Sequence, residues 1–323
     1  PCRRPGAADD AEATMLTSRS LQRLIAAVTF ALTVGATSSP RAAELVPPEA
    51  FVLRCGTGVH AGEGAGFVLF PQGGVFCPLL ADPKQTRSFA SYLRGEFPRV
   101  TGAKNVGSVG VGDGVRFFRY GWREPGEGIQ LGLEAAVFTQ FDLGTRSADL
   151  MNADYILGLP LTFRVAGFSG RVRVYHQSSH LGDELVAHSR TEITNAQLSF
   201  EAVEMILSQE VWPLRIYAGG DYLFHRTPSA LEAYVAHGGV ELRLGPARGA
   251  RFVAALDVKA SQQRDWKPAY SVRSGVEIAY WHHPDHPPRT WEIVGEYYEG
   301  PSPYGQFFLD QTRFYGFGFH FQL

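Results

Sequence analysis

The chain has 323 residues, of which 45% are hydrophobic, 19% are charged and 12% are aromatic. Charged residues make up about 25% of a typical soluble domain and glycine about 7%, whereas this chain contains 36 glycines. Its formal net charge of −2 argues against a general nucleic-acid binder. The composition also excludes a coiled coil and a disordered chain, which leaves a glycine-rich and aromatic-rich protein made mostly of β-strands.

The first predicted element is an export signal. An apolar run covers residues 24–36, arginines at positions 19 and 23 precede it, and small residues follow it. This order is typical of a secretory signal peptide. The run is shorter than the roughly 20 apolar residues that a membrane-spanning helix needs, which disfavours an N-terminal anchor. We therefore predict upstream residues and a signal peptide over 1–43, with translation starting at Met15.

The next segment, residues 44–85, shows no regular alternation and contains seven glycines. It is predicted to be a periplasmic or lumenal N-terminal segment, and the sequence leaves open whether it is a plug or a simple linker. Cys55 and Cys77 both lie in this segment. In an exported protein they can form a disulfide, and two free thiols are the alternative.

From about residue 86 to residue 323, side chains alternate in character residue by residue. Over 129–141 the odd positions are mostly apolar, whereas Gln130, Glu134 and Gln140 lie on the opposite face. A period of two is the signature of a β-strand. Twelve strands are predicted, near residues 86–97, 106–120, 128–141, 151–165, 170–180, 192–208, 213–225, 231–244, 250–261, 269–281, 289–299 and 311–323.

Three features favour a membrane barrel over a soluble β-sandwich. The segments are often 11–15 residues long, whereas soluble strands usually have about 5–6. The polar faces carry full charges and glycine, and aromatic residues cluster near the segment ends. The predicted fold class is therefore all-β, a single antiparallel transmembrane β-barrel of about twelve strands over residues 86–323. Alternating short and long connections place it in the bacterial outer membrane.

Charges of both signs fall on the predicted lumen faces of these strands. Such a mixed set is expected to form ion pairs that fill a narrow barrel. The set comprises Glu134, Arg164, Arg171, Arg173, Arg215, Glu241, Arg243, Arg251, Asp257, Lys259, Arg273 and Glu277. The expected partners are outer-membrane lipids and, through the alternating C-terminal strand, the barrel assembly machinery. No nucleic acid is expected as a partner.

Four segments of the chain carry a family resemblance. They read PLLADPKQ at 78–85, YHQSSHLGDE at 175–184, YLFHR at 222–226 and SPYGQF at 302–307. They resemble segments of an uncharacterised bacterial family, the one catalogued as domain of unknown function number 1207, over most of residues 70–323. The resemblance implies an envelope protein and brings no established activity.

The predicted strand over 170–180 carries the strongest candidate for chemistry. Val172 and Val174 are predicted to face lipid and, by the same parity, so are His176, Ser178 and His180. Polar and ionisable side chains that face hydrocarbon are costly and tend to mark functional sites. A histidine two residues before a serine on one strand face can place its imidazole near the hydroxyl, which is the nucleophile–base pairing that acyl transfer needs.

The sequence His-Gln-Ser at 176–178 is also similar to the His-x-Ser of two outer-membrane hydrolase families, phospholipase A and the lipid A deacylases. The resemblance implies that Ser178 is the nucleophile and His176 the general base, at the outer-leaflet face. Those families usually follow the serine with asparagine, whereas Ser179 and His180 follow it here.

The group that orients the histidine is predicted from the parity of the next strand, 192–208. Its even-numbered apolar residues are predicted to face lipid, which places Glu192 outward, and an antiparallel hairpin brings Glu192 near His176.

A weaker candidate is a divalent-cation site at the end of the preceding strand, with calcium as the one cofactor considered. Its candidate ligands are His180, Asp183 and Glu184.

Three functions follow from these patterns. The leading interpretation is an outer-membrane barrel without an assigned activity, because His-x-Ser is a short pattern that arises often by chance. The alternatives are a serine-type lipid acyl hydrolase that uses His176 and Ser178, and a passive pore for small solutes. The orientation of His176 separates the first two, since an inward-pointing ring would remove the main support for the hydrolase.

Overall fold

The computed structural model describes residues 65–98, 101–122, 126–188, 198–246, 249–280 and 289–321. The predicted signal peptide, residues 44–64 with Cys55, and Glu192 lie outside this part of the chain. Among the residues described, no helix is both long and apolar enough to cross a membrane.

Twelve long strands form a closed antiparallel β-barrel, which confirms the predicted fold class. Each strand pairs with its neighbours in the chain, and the first strand of the ring also pairs with the last, so the described ring is closed. The ring consists of β2 (Ser88–Glu96), β3 (Asn105–Gly121), β4 (Gly128–Asp142), β5 (Asp149–Val165), β6 (Phe168–Leu181), β7 (Leu198–Val211), β8 (Leu214–Thr227), β9 (Tyr234–Leu244), β10 (Gly249–Ser261), β11 (Pro268–Tyr280), β12 (Arg289–Pro301) and β13 (Gln311–Phe321).

Shorter elements complete the described chain. Strand β1 (Gly66–Leu69) pairs with the end of β3, on the edge that β2 leaves uncovered. Helix α1 (Asp183–His188) follows β6, and single 3-10 turns form at Gln262–Arg264 and Gly305–Phe307.

The two ends of the barrel differ in their connections. Short turns such as 166–167 and 212–213 join strands at one end, which we call the short-turn end. Longer segments such as 143–148, 262–267 and 302–310 join strands at the other end, the long-loop end. Strand β6 runs towards the long-loop end, so its last residues lie near that rim.

The lumen is filled by buried ion pairs, as the mixed charges predict. Arg171 and Arg173 both bind Glu204, at nitrogen–oxygen distances of 2.7 and 2.8 Å, and all three residues are buried. A buried charge is tolerated when it is paired and is costly when it is not. Further buried pairs are Arg164–Glu210, Arg173–Glu134, Arg251–Glu277 and Arg273–Glu296.

Part of the N-terminal segment lies inside this lumen. Residues 75–82 are almost wholly buried and contact inward-facing side chains from several strands. Arg164 of β5 donates a hydrogen bond to the carbonyl of Val75 at 2.7 Å, and Arg273 of β11 donates to that of Leu80 at 2.8 Å. Cys77 is disulfide-bonded to a residue outside the described part of the chain, so its pairing with Cys55 stays a prediction.

One predicted strand parity is wrong. On β7 the even-numbered residues Leu198, Ala202 and Glu204 face the lumen and are buried, whereas Met205 and Leu207 are exposed. The charge of Glu204 decides the orientation, because its carboxylate binds two lumenal arginines. The apolar even-numbered residues join a buried cluster inside the barrel rather than facing lipid.

Candidate functional site

The outward face of β6 carries the histidine and the serine of the His-x-Ser pattern. Val172 and Val174 are exposed on this face, and the arginines between and beside them are buried in the lumen. The alternation continues to His176 and Ser178, which are both partly exposed. The His176 imidazole therefore faces outward, as the hydrolase hypothesis requires.

Strand β7 places a carboxylate beside this histidine. Glu201 is the register partner of His176, and its Oε1 lies 2.8 Å from His176 Nδ1. The carboxylate keeps the proton on Nδ1 and leaves Nε2 with a free lone pair. In that tautomer Nε2 is free to accept a proton, and Ser178 is the next outward residue of β6.

Glu201, rather than Glu192, is the acid that the described structure places against His176. Glu192 lies outside the described residues, and the strand parity that pointed to it is wrong. The sequence signal that identifies Glu201 is Glu204, three residues further along the strand. Of the two acids Glu204 lies farther from the long-loop end, where a full charge belongs in the lumen of a membrane barrel, so Glu204 faces inward and the odd-numbered Glu201 faces outward.

A second histidine binds the same carboxylate. His225 of β8 is the register partner of Glu201, and its Nδ1 lies 2.6 Å from Glu201 Oε2. Each oxygen of the carboxylate therefore contacts one imidazole, and His176, Glu201 and His225 lie side by side on three adjacent strands. His225 belongs to the segment 222–226 that resembles the family, but no sequence pattern assigned it a role.

A row of hydroxyl groups lies next to His176, Glu201 and His225, nearer the long-loop end. Ser178 is the register partner of Ser199 on β7, which in turn pairs with Thr227 on β8. On its other side Ser178 pairs with Tyr155 of β5, whose exposed ring packs edge-on against His180 at a centroid distance of 5.7 Å. The hydroxyl row is thus flanked by an aromatic ring on β5.

The lumenal side of β6 is held by the segment 302–310. The Gln306 side-chain amide donates a hydrogen bond to the carbonyl of Ser179, the residue after the candidate nucleophile. The backbone N–H of Gly305 donates to Asp154 at 3.2 Å, and Lys84 forms an ion pair with the same carboxylate. A Cβ at position 305 would lie only 1.9 Å from Ser179 Oγ, so this close approach requires glycine.

The four segments that resemble the family converge on β6, which contains part of one of them. The segments 78–85 and 302–307 contact the strand from the lumen, where Arg171 donates a hydrogen bond to Gln85 and Gln306 donates one to the carbonyl of Ser179. The segment 222–226 approaches from the outward side, where its histidine binds the carboxylate that also holds His176. The parts of the chain that carry the resemblance therefore surround the candidate site.

The three residues predicted to bind a cation do not form a compact group. His180 is exposed near the end of β6, and Asp183 and Glu184 are exposed in the first turn of α1. Although all three are described, their ligand atoms are not among those that lie within 4.8 Å of one another. The structure thus gives no support to the predicted calcium site.

A different acid–histidine group lies inside the lumen. Ligand atoms of Asp82, His237 and Asp257 lie within 4.8 Å of one another, and all three residues are buried. Asp82 Oδ1 lies 2.7 Å from Lys259 Nζ, and Asp257 Oδ2 lies 2.6 Å from both His237 Nε2 and the Tyr217 hydroxyl. Because each carboxylate already has close donors, the group is part of the lumenal ion-pair network.

Comparisons with known proteins agree with the barrel. A family model described as "Protein of unknown function (DUF1207)" matches residues 23–323. A Salmonella typhi outer membrane phospholipase dimer with bound calcium is similar in structure, with 13% identity, a TM-score of 0.51, and coverage of 73% of this chain and 90% of that chain. Outer membrane phospholipase A from Escherichia coli, with an asparagine-to-alanine active-site mutation, is also similar in structure. Its identity is 14%, its TM-score is 0.50, and the match covers 85% of this chain and 98% of that chain. A search of curated proteins gives no significant match. At these identities the likeness shows the fold alone.

Proposed function

We propose a function for this chain, which belongs to the family described as "Protein of unknown function (DUF1207)". The protein is an outer-membrane barrel that hydrolyses lipid acyl esters on its outward face. Ser178 is the nucleophile, His176 is the general base, and Glu201 orients the base. The observation that carries the proposal is the 2.8 Å contact between Glu201 Oε1 and His176 Nδ1 on the outward face that also carries Ser178.

The outward surface supports a location in lipid. Most strands of the ring expose large apolar side chains, a pattern that is unusual for a water-soluble surface and typical of a membrane barrel. Examples are Val111 of β3, Leu157 of β5, Val174 of β6, Met205 of β7, Ile216 of β8, Phe252 of β10, Val276 of β11, Ile293 of β12 and Phe317 of β13. The candidate site lies at the long-loop edge of this apolar band, where Leu157 is the register partner of His176. In the proposal this is the level at which the ester bonds of a lipid leaflet meet its acyl chains.

The proposed reaction is a two-step acyl transfer. The Ser178 oxygen attacks the ester carbonyl and transfers its proton to His176 Nε2, while Glu201 stabilises the imidazolium. The imidazolium then protonates the leaving alcohol as the carbon–oxygen bond breaks, which leaves an acyl group on Ser178. A water molecule attacks this acyl-enzyme, gives one proton to His176 and releases a fatty acid, and His176 returns that proton to Ser178.

A passive pore has less support. The ion pairs and residues 75–82 occupy the described lumen, and a cavity of about 220 Å³ lies between them and the segments of the long-loop end. Channels of large barrels are instead continuous and water-filled. We therefore do not extend the proposal to solute transport.

Covalent labelling tests the nucleophile directly. An apolar sulfonyl fluoride forms a sulfur–oxygen bond to an activated serine hydroxyl as fluoride leaves, and His176 accepts the hydroxyl proton. After labelling in detergent micelles and digestion, we expect mass spectrometry to find the sulfonyl group on Ser178. Its register partner Ser199 should stay unlabelled, because the orienting carboxylate contact is made by the histidine two residues before Ser178. Labelling of neither serine, or of both to the same extent, would contradict the proposed nucleophile.

Replacing Glu201 with alanine is expected to lower kcat about 10²–10³-fold, within the range of one general acid–base contribution. The imidazole would lose the acceptor that fixes its tautomer. Glu201→Gln is the matched control, since its amide oxygen can still accept the hydrogen bond from His176 Nδ1, and it should lose less activity. The measurement is fatty-acid release from phospholipid in mixed micelles. Equal activity in the alanine variant and the wild type would remove Glu201 from the site.

A further inference from the structure

We infer that His225 is a positioning residue of the proposed hydrolase, because it holds the Glu201 carboxylate in the orientation in which Glu201 holds His176. The inference rests on the proposed function and extends it to a third strand. It assigns a role to the family-like segment 222–226, which the proposed acyl transfer does not otherwise use.

The first support is the geometry of the carboxylate. Glu201 Oε1 lies 2.8 Å from His176 Nδ1, and Oε2 lies 2.6 Å from His225 Nδ1. A contact at one oxygen fixes the position of that atom but leaves the carboxylate group free to rotate about it. A contact at each oxygen fixes the plane of the whole group.

The second support is the exposure of the site. About a third of the Glu201 side chain is exposed, so water competes for its oxygens. A second protein donor replaces one water and restricts the side chain to fewer rotamers, which lowers the entropy lost when the catalytic contact forms. His225 supplies this donor from a directly paired position on β8.

The third support is a β-bulge that brings His225 into place. The register between β7 and β8 shifts after Glu201, so that Ala202 pairs with Leu223 while Glu201 pairs with His225. A regular ladder would instead have placed Phe224 opposite Glu201. Bulges are frequent beside active sites, where they redirect one side chain. Here the extra residue exchanges an apolar ring for an imidazole opposite the carboxylate.

A competing assignment follows from the symmetry of the site. Thr227 stands two residues after His225, as Ser178 stands two residues after His176, and β6 and β8 run in the same direction. His225 and Thr227 would then be a second base and nucleophile. The two assignments make different predictions for Thr227. It is a nucleophile in the competing assignment, and it takes no part in the reaction if His225 is a positioning residue.

The test uses the full-length protein in phospholipid micelles. His225→Leu is expected to lower kcat about 10-fold with KM changed less than about 2-fold, as for other residues that orient a catalytic group. His225→Asn should recover most of the activity, because its amide nitrogen can donate to Glu201 Oε2 in place of Nδ1. In the Glu201→Ala background, His225→Leu should have no further effect, which is the mark of two residues that act through each other. Tyr222→Phe, which removes an exposed hydroxyl from β8, is the control and should match the wild type.

Three activity results would overturn the inference. These are additive losses in the double variant, equal losses for the leucine and asparagine variants, and a loss in Thr227→Val as large as that in His225→Leu. A readout without turnover separates this inference from the proposed function. The ¹⁵N shifts of His176 report which ring nitrogen carries the proton, and in His225→Leu we expect the Nδ1–H tautomer to lose population. An inactive wild type with this tautomer change refutes the hydrolase alone, whereas an unchanged tautomer refutes the role of His225.

Discussion

Replacing Ser178 with alanine is expected to reduce fatty-acid release from phospholipid micelles by at least about 10⁴-fold in kcat. Without the hydroxyl no acyl-enzyme forms, and the His176–Glu201 pair can only assist a direct attack by water. The KM should change little, because the contact with acyl chains comes from neighbouring apolar side chains such as Leu157 and Val174. The measurement is a titration of released fatty acid over a range of phospholipid concentrations.

Ser199→Ala is the matched control for this variant. Ser199 is the register partner of Ser178 and lies on the same outward face, so its removal makes a similar change to the surface without touching the proposed nucleophile. We expect the control to retain kcat within about 3-fold, since a partly exposed substitution that removes none of the three proposed catalytic groups has a small effect. Loss of activity in the control alone would move the nucleophile to β7. A wild type that releases no fatty acid from any phospholipid would refute the hydrolase proposal.

The barrel could be predicted from the sequence because each strand meets two different environments. On β4 the polar residues Gln130 and Gln140 are buried in the lumen, while odd-numbered apolar residues between them, such as Leu133 and Val137, face outward. A period of two that persists over a long segment identifies the strand. The predicted strand 170–180 accordingly lies within β6, which spans 168–181.

The orientation of β7 could not be predicted from apolar residues alone. Near the long-loop end the lumen contains an apolar cluster, so Leu198 and Ala202 are buried inside the barrel although they resemble lipid-facing residues. A charge far from the barrel rim is the more reliable indicator, because an unpaired carboxylate such as that of Glu204 is expensive in hydrocarbon but readily paired in the lumen. Reading the strand from Glu204 rather than from Leu198 gives the observed orientation and leads to Glu201 instead of Glu192.

The contact between Glu201 and His225 cannot be predicted from the sequence of either strand alone. It depends on the register between two strands, and a single bulge shifts that register by one residue. The position of a bulge is set by the packing of the neighbouring strands, which the periodic pattern does not encode. For most strands the outward face is therefore easier to predict than the identity of the residues that meet across two strands.

Replacing Glu241 with alanine is expected to lower the free energy of unfolding by about 3–5 kcal/mol, the cost of removing one partner of a buried ion pair. Glu241 Oε2 lies 2.7 Å from Arg243 Nη1 and 3.3 Å from Arg215 Nη1, and Oε1 accepts a hydrogen bond from the backbone N–H of Leu80 at 2.8 Å. The alanine variant leaves two buried guanidinium groups without this carboxylate and releases one contact between the lumenal segment and the barrel wall.

Urea unfolding in lipid vesicles, followed by tryptophan fluorescence, measures this loss, and Glu96→Ala is its control. Glu96 pairs with Arg313 at 3.0 Å, but both side chains are more than half exposed, so the expected loss is less than about 1 kcal/mol. The loss for Glu241→Gln should fall between those for Glu241→Ala and Glu96→Ala. Its amide oxygen can still accept the hydrogen bond from the backbone N–H of Leu80, but the arginine charges stay uncompensated. If Glu241→Ala instead unfolds like the wild type, the apolar packing of Val75 and Leu79 must hold the lumenal segment in place without the ion pairs.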